Sequence, residues 1–110
     1  MKILVVKMFN RVGDNSDFVE INLSDINFVD LWSPTEHSAK VPAYHTPFGS
    51  FLALSIIKDI SQAYGKYGFG LVDRSTVVNF KNVLSIDPES NGSKITFKDY
   101  SYIHVRKKHI

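Results

Sequence analysis

The chain of 110 residues ends on Ile103-His104-Val105-Arg106-Lys107-Lys108-His109-Ile110, which holds three fixed positive charges, two histidines and no acid. Such an end suits a polyanion, because clustered cations gain by neutralising phosphates. The formal net charge of +2 conceals an uneven distribution. Residues 1–36 carry three basic and six acidic side chains, whereas the remainder carries ten and five. Positive charge therefore accumulates towards the C-terminus.

Other residue types able to do chemistry are sparse. Ser38 beside His37 and Ser75 near Asp73 are the serines with a potential base or acid partner. Neither sits on a glycine-flanked elbow of the kind that exposes a nucleophile beside an oxyanion site. His37 and His45 are too widely spaced for short-range ligand pairs, His104 with His109 lacks a third partner, and each histidine alone reads as a surface residue. Cysteine is absent, which removes thiolate zinc sites, disulfides and cysteine nucleophiles together. No enzyme and no cofactor is expected. The cysteine count fits a reducing, cytoplasmic compartment. The apolar run at Ile3–Phe9 is too short for a signal-peptide core or a membrane span, so no targeting segment is expected.

The elements that must position these side chains read mostly as β. Val19, Ile21 and Leu23 alternate with Glu20 and Asn22, which predicts a half-buried strand over residues 18–23. A second strand follows at 26–32, and the two are expected to pair. Ser33 to Lys40 is a polar loop by composition. Val41 to Thr46 is a strand candidate, placed at a sheet edge by Pro42, which cannot donate a ladder bond. Pro47-Phe48-Gly49 turns the chain into a short apolar stretch at 51–54. One helix is predicted over Ile56–Tyr64, capped by Ser55 and ended by a left-handed Gly65.

The glycine and aromatic alternation at 64–70 matches no phosphate-binding fingerprint and reads as a helix-to-strand connection. Further strands are expected at 69–72, 76–79, 83–86, 94–97 and 100–105, with turns at 87–92 and 98–99. Asn79, after an apolar strand, is expected to bond local backbone. The length suits a single domain over residues 1–110, with 1–16 as an added N-terminal strand and turn.

The stretch Phe69-Gly70-Leu71-Val72-Asp73-Arg74-Ser75-Thr76-Val77-Val78-Asn79, followed by an apolar strand, resembles the LytTR DNA-binding family of bacterial response regulators and transcription regulators. Arg74-Ser75 and Val78-Asn79 hold its register. The likeness extends back to Phe18–Trp32 and forward to Ile103–Lys108. It implies a mainly β fold, an elongated stack of short antiparallel sheets with one short helix, whose loops enter two successive major grooves of double-stranded DNA. By the same resemblance, His37, Arg74 and Arg106 would touch bases, while Ser38, Lys40, Ser75, Lys107 and Lys108 would meet phosphates. Two copies on tandem half-sites are expected.

Three positions depart from the family pattern. Asp73 stands where histidine is usual and is expected to orient Arg74, Leu71 replaces a frequent arginine, and Tyr100 replaces a frequent glycine. The competing reading is a protein-interaction module of the same fold with weak or lost DNA affinity. A third is a single-strand binder using Tyr67 and Phe69.

Overall fold

Two antiparallel sheets account for most of the chain in the computed structural model, which describes residues 1–106. The strands are β1 (Lys2–Lys7), β2 (Phe18–Asn22), β3 (Phe28–Trp32), β4 (Val41–Thr46), β5 (Gly49–Leu52), β6 (Phe69–Asp73), β7 (Thr76–Asn79), β8 (Val83–Glu89), β9 (Gly92–Phe97) and β10 (Tyr102–Val105). A single helix, α1 (Ile57–Ala63), separates β5 from β6. The first seven strands form one sheet in the order β2-β1-β5-β4-β3-β7-β6, and the last three form a second, β10-β9-β8. The extents of 45 × 34 × 25 Å make the molecule elongated. No helix among the described residues is long and apolar enough to cross a membrane.

Alternating side chains serve two cores. Val77 and Val78 are adjacent and both fully buried, because the sheet is covered on both faces at this point. Val77 joins Val5, Leu23, Ile26, Val29, Tyr44, Ile60 and Phe69 in the main core, beneath α1. Burial there pushes the Tyr44 phenol above its ordinary range. Val78 faces the other way and packs with Val72 against Ile95, Phe97 and Val105 of the second sheet. Phe28 stacks on Phe97 across the same seam, with centroids 5.6 Å apart. A third, smaller cluster of Val6, Ala43 and Leu52 is flanked by Met8, Trp32 and Val41.

Several expectations need correction. The strands at 18–23 and 26–32 do not pair with each other. β2 pairs with β1, and β3 pairs with β4 and β7. The chain between them, a 3-10 turn at Leu23–Asp25 followed by buried Ile26, carries it from the sheet edge to its middle. β4 is internal rather than an edge. Pro42 is tolerated because its carbonyl accepts from Ala53 N–H, so the side lacking a donor faces the chain just past the end of β5. The helix has Ile56, not Ser55, at its N-cap, and no side chain caps it. Gly65 continues into a 3-10 turn, and it is Gly68 that takes the left-handed conformation, φ 101, before β6. β8 runs on to Glu89, so the hairpin expected over 87–92 shrinks to the two residues Ser90 and Asn91.

Tyr100 occupies the left-handed region at φ 69 in the turn between β9 and β10, and is 78% exposed. A side chain in that conformation costs about 1–2 kcal/mol that glycine does not pay, partly offset by glycine's freer unfolded chain. Tyr100→Gly should therefore raise stability by about 0.5–1 kcal/mol, seen as a higher urea midpoint. A lower midpoint would show that the ring contributes more than its backbone costs.

Candidate nucleic-acid interface

The described residues among those named from the sequence lie towards one end of the seven-stranded sheet. Phe28 and Val29 of β3 face Val78 and Val77 of β7 in antiparallel register. Extending that register carries Trp32 towards Arg74, so the β3–β4 loop and the β6–β7 turn leave the sheet at the same end.

Arg74 and Ser75 form the two-residue turn closed by Asp73 and Thr76. The register shifts between Leu71 and Asp73, a bulge that re-aims the turn. Asp73 Oδ1 accepts from Ser75 N–H at 3.0 Å, the local side-chain-to-backbone bond of an Asx turn. Among the described residues Asp73 makes no ion pair with Arg74, so the orienting role expected from adjacency is not what the structure shows. The carboxylate braces the turn and the guanidinium is left exposed.

Arg106 reaches the same place from the other sheet. Val72, just before the turn, and Val105, just before Arg106, are buried in one cluster. Packing therefore joins the ends of β6 and β10, and Leu71, Asp73, Arg74, Ser75 and Arg106 line a single open concavity of about 700 Å³. Both arginines are exposed. Neither has a carboxylate partner among the described residues. Arginine presents a rigid fork of donors, which matches guanine O6 and N7 or a phosphate.

His37, Ser38 and Lys40 sit on the β3–β4 loop. The loop folds on itself: Ser38 N–H donates to Thr35 O at 3.2 Å, Thr35 Oγ1 and Ser38 Oγ are 2.7 Å apart, and Ser33 Oγ meets the carbonyls of Thr35 and Ser38. The Ser38 hydroxyl is thus already engaged. His37 projects into solvent, 89% exposed, with Glu36 at 3.5 Å, and Lys40 is exposed. None of the three lines the concavity that holds Arg74 and Arg106. Lys107 and Lys108 lie outside the described residues.

Two histidines expected at the surface on their own have partners instead. His45 is half-buried, stacked on Phe28 with centroids 4.4 Å apart. Its Nε2 lies 2.6 Å from Asp30 Oδ1 and its Nδ1 lies 2.7 Å from Ser50 Oγ. The three residues lie on β3, β4 and β5, so the network pins neighbouring strands. His104 Nδ1 lies 2.7 Å from Glu89 Oε1. Neither network was visible in the sequence, since both join residues fifteen apart across strand registers. Asn79 bonds local backbone as its position predicts, and also a distant carbonyl. Its Oδ1 accepts from Lys81 N–H at 3.2 Å, and its Nδ2 donates to Ile26 O at 2.9 Å.

The LytTr DNA-binding domain family model matches residues 16–110. The chain belongs to the LytTR family. Its fold agrees with that of a solved LytTr DNA-binding domain, from a proposed methyl-accepting/DNA response regulator of Bacillus cereus. The TM-score is 0.71 at 10% sequence identity, with 96% of this chain and 85% of that one covered. At that identity the likeness speaks to fold alone, and it bears out the mainly β, single-helix architecture. No curated protein matches the sequence. The LytTR match starts at residue 16, so β1 and most of the loop after it lie ahead of the matched segment.

Within this LytTR domain the charge on Asp73 has a measurable consequence. Asparagine keeps an oxygen for the Ser75 amide, so Asp73→Asn should leave the turn in place while removing one negative charge beside Arg74. Exposed charge pairs are worth about 0.2–1 kcal/mol, which predicts a gain of up to about fivefold, equal on every duplex. A change in base preference without a uniform gain, in binding selections on a randomised duplex, would restore the orienting role.

Proposed function

We propose that this chain binds double-stranded DNA sequence-specifically as the DNA-binding domain of a bacterial transcription regulator, and performs no chemistry on it. The observation that carries the reading is the convergence of Arg74 and Arg106, from different sheets, on one concavity at the end of the molecule where the His37 loop also emerges. Reading elements that leave one end of the sheet together can face one duplex at once, which suits entry of these loops into its major groove. In this arrangement Arg74, Arg106 and His37 contact base edges, and Lys40, Ser75, Lys107 and Lys108 contact phosphates. Ser38 can donate to phosphate while its hydroxyl accepts from Thr35. Two copies of the chain would occupy tandem half-sites.

Binding of a labelled random duplex, measured against salt concentration, tests this directly. Phosphate neutralisation gives an affinity that falls steeply as salt rises, with a slope of about −0.9 per phosphate contacted. A flat response at low salt would favour the protein-interaction reading, for which Leu71, 49% exposed in the same concavity, is the anchor. Preference for single strands is not expected, because Phe69 is buried in the main core with Tyr67 packed against it, and the ring offers no open face to a base.

A further inference from the structure

The loop joining β1 to β2 lies, up to residue 15, ahead of the segment matched by the LytTR family, yet it comes to rest against the first reading loop. Its path is held at several points. The buried Asp17 carboxylate takes Val12 N–H on one oxygen and Gly13 N–H on the other, each at 2.8 Å. Asn10 and Gly13 turn the backbone through the left-handed region, at φ 60 and φ 87. Phe9 sets its ring edge-on to Trp32, with centroids 5.9 Å apart and planes at 86°. Trp32 is the last residue before the His37 loop, so this contact ties the two loops together.

Arg11 stands exposed on this braced loop. Its Nε donates to the carbonyl of Lys7 at 2.8 Å, which fixes the guanidinium and leaves the Nη groups free. The nearby acids are engaged within the loop, Asp17 by the two amides and Asp14 by the amide and hydroxyl of Ser16. Among the described residues Arg11 has no carboxylate partner. Arg11, Trp32, Pro34 and Ala39 line one cleft of about 300 Å³. The arginine therefore flanks the His37 loop on the side of Pro34 and Ala39.

We propose that Arg11 is a third anchoring point on DNA, a phosphate contact supplied by the β1–β2 loop beside the His37 loop. The inference rests on the duplex-binding reading above. Phosphate rather than base is the fitting partner, because a guanidinium tethered at Nε to its own backbone can offer its outer edge bidentately but has little reach into a groove. The contact would widen the cationic footprint without adding sequence information.

The test compares salt slopes of wild type, Arg11→Gln, Arg11→Lys and Lys2→Gln on one duplex. Lys2 serves as the control because it follows Met1, which lies beside Phe69 and Asn79 at the opposite end of the β6–β7 hairpin. Arg11→Gln should flatten the slope by about one unit, so that the loss of affinity between 50 and 200 mM salt shrinks by roughly three- to fourfold. Base preference should stay unchanged. Arg11→Lys should keep the wild-type slope, and so should Lys2→Gln. Equal thermal midpoints establish that each variant is folded, and should Arg11→Gln not fold, a slope one unit shallower in a charge-neutral Arg11→Met decides instead. If wild type binds with a steep slope and Arg74→Ala weakens binding, while removing the Arg11 charge leaves the slope unchanged, this proposal falls and the duplex-binding reading stands. A flat wild-type response overturns both.

Discussion

Alanine at Arg74 or at Arg106 will cost about 1–3 kcal/mol on a cognate duplex and little on random DNA. The expectation follows from where the two side chains sit. Each is exposed, each has no carboxylate partner among the described residues, and each follows a buried valine that fixes its backbone, Val72 one residue ahead of Asp73 and Val105 directly before Arg106. The planar guanidinium makes two bonds to a purine edge for one loss of rotamer freedom, so a bidentate contact repays its ordering cost. Selection on a randomised duplex with wild type identifies the preferred site. Repeating it with each variant should relax preference at one position per arginine. Equal losses on selected and random duplexes would make both residues phosphate contacts, and unchanged affinity on both would place the concavity away from DNA. Stability should not move, since neither side chain is buried.

The elements that carry these arginines were legible because their signals are local. Alternation at Val19 and Ile21 marks one face of β2, the β-branched pair Val77-Val78 marks β7, and Arg74-Ser75 reads as a turn between apolar runs. Partnership between strands was not legible. β2 and β3 are close in sequence, but β2 finds its partner in β1, a strand whose short apolar run gives no sign of which edge it joins. Pro42 misled for a related reason. A missing donor is costly only if a neighbour presents an acceptor opposite it, and β5 ends before it can.

Polar contacts show the same boundary between local and distant information. The Asn79 bond to Lys81 N–H spans two residues and could be expected from the sequence. Asp73 also bonds two residues ahead, to Ser75, yet the neighbouring arginine offered an equally plausible partner. Backbone amides in a tight turn are already in place, whereas an exposed arginine must give up rotamer freedom to pair, so the amide wins. The Asp30, His45 and Ser50 network depends on a register that no local pattern encodes. Arg11 was passed over because the likeness to known sequences begins only after it. Its placement beside Pro34 comes from Asp17 and Trp32 acting together.

A methyl group at Gly92 should do more damage than any other substitution considered, and its effect should reach the DNA interface. Gly92 pairs with Glu89 across the two-residue hairpin, and the end of β10 runs beside it in the same sheet, with Val105 opposite Ser93. A Cβ there would lie 1.8 Å from the Val105 carbonyl oxygen and 2.9 Å from Arg106 Cα. Both obstacles are backbone, so no side-chain rotation relieves the clash. β10 cannot simply lift away, because Val105 is buried with Ile95, Phe97, Val72 and Val78, and moving it would open the core that joins the two sheets. Overpacking of this kind reaches the upper part of its usual range, about 3 kcal/mol, for Gly92→Ala. The thermal midpoint should fall by on the order of 10 °C. Asn91→Ala, one residue earlier and exposed, should shift it little. The functional consequence separates this clash from general instability. At a temperature where Gly92→Ala is still folded, the base preference that depends on Arg106 should be lost while that of Arg74 persists, since only β10 has been displaced. A Gly92→Ala midpoint within about 2 °C of wild type would show that β10 yields freely, and that Val105 does not hold Arg106 in place.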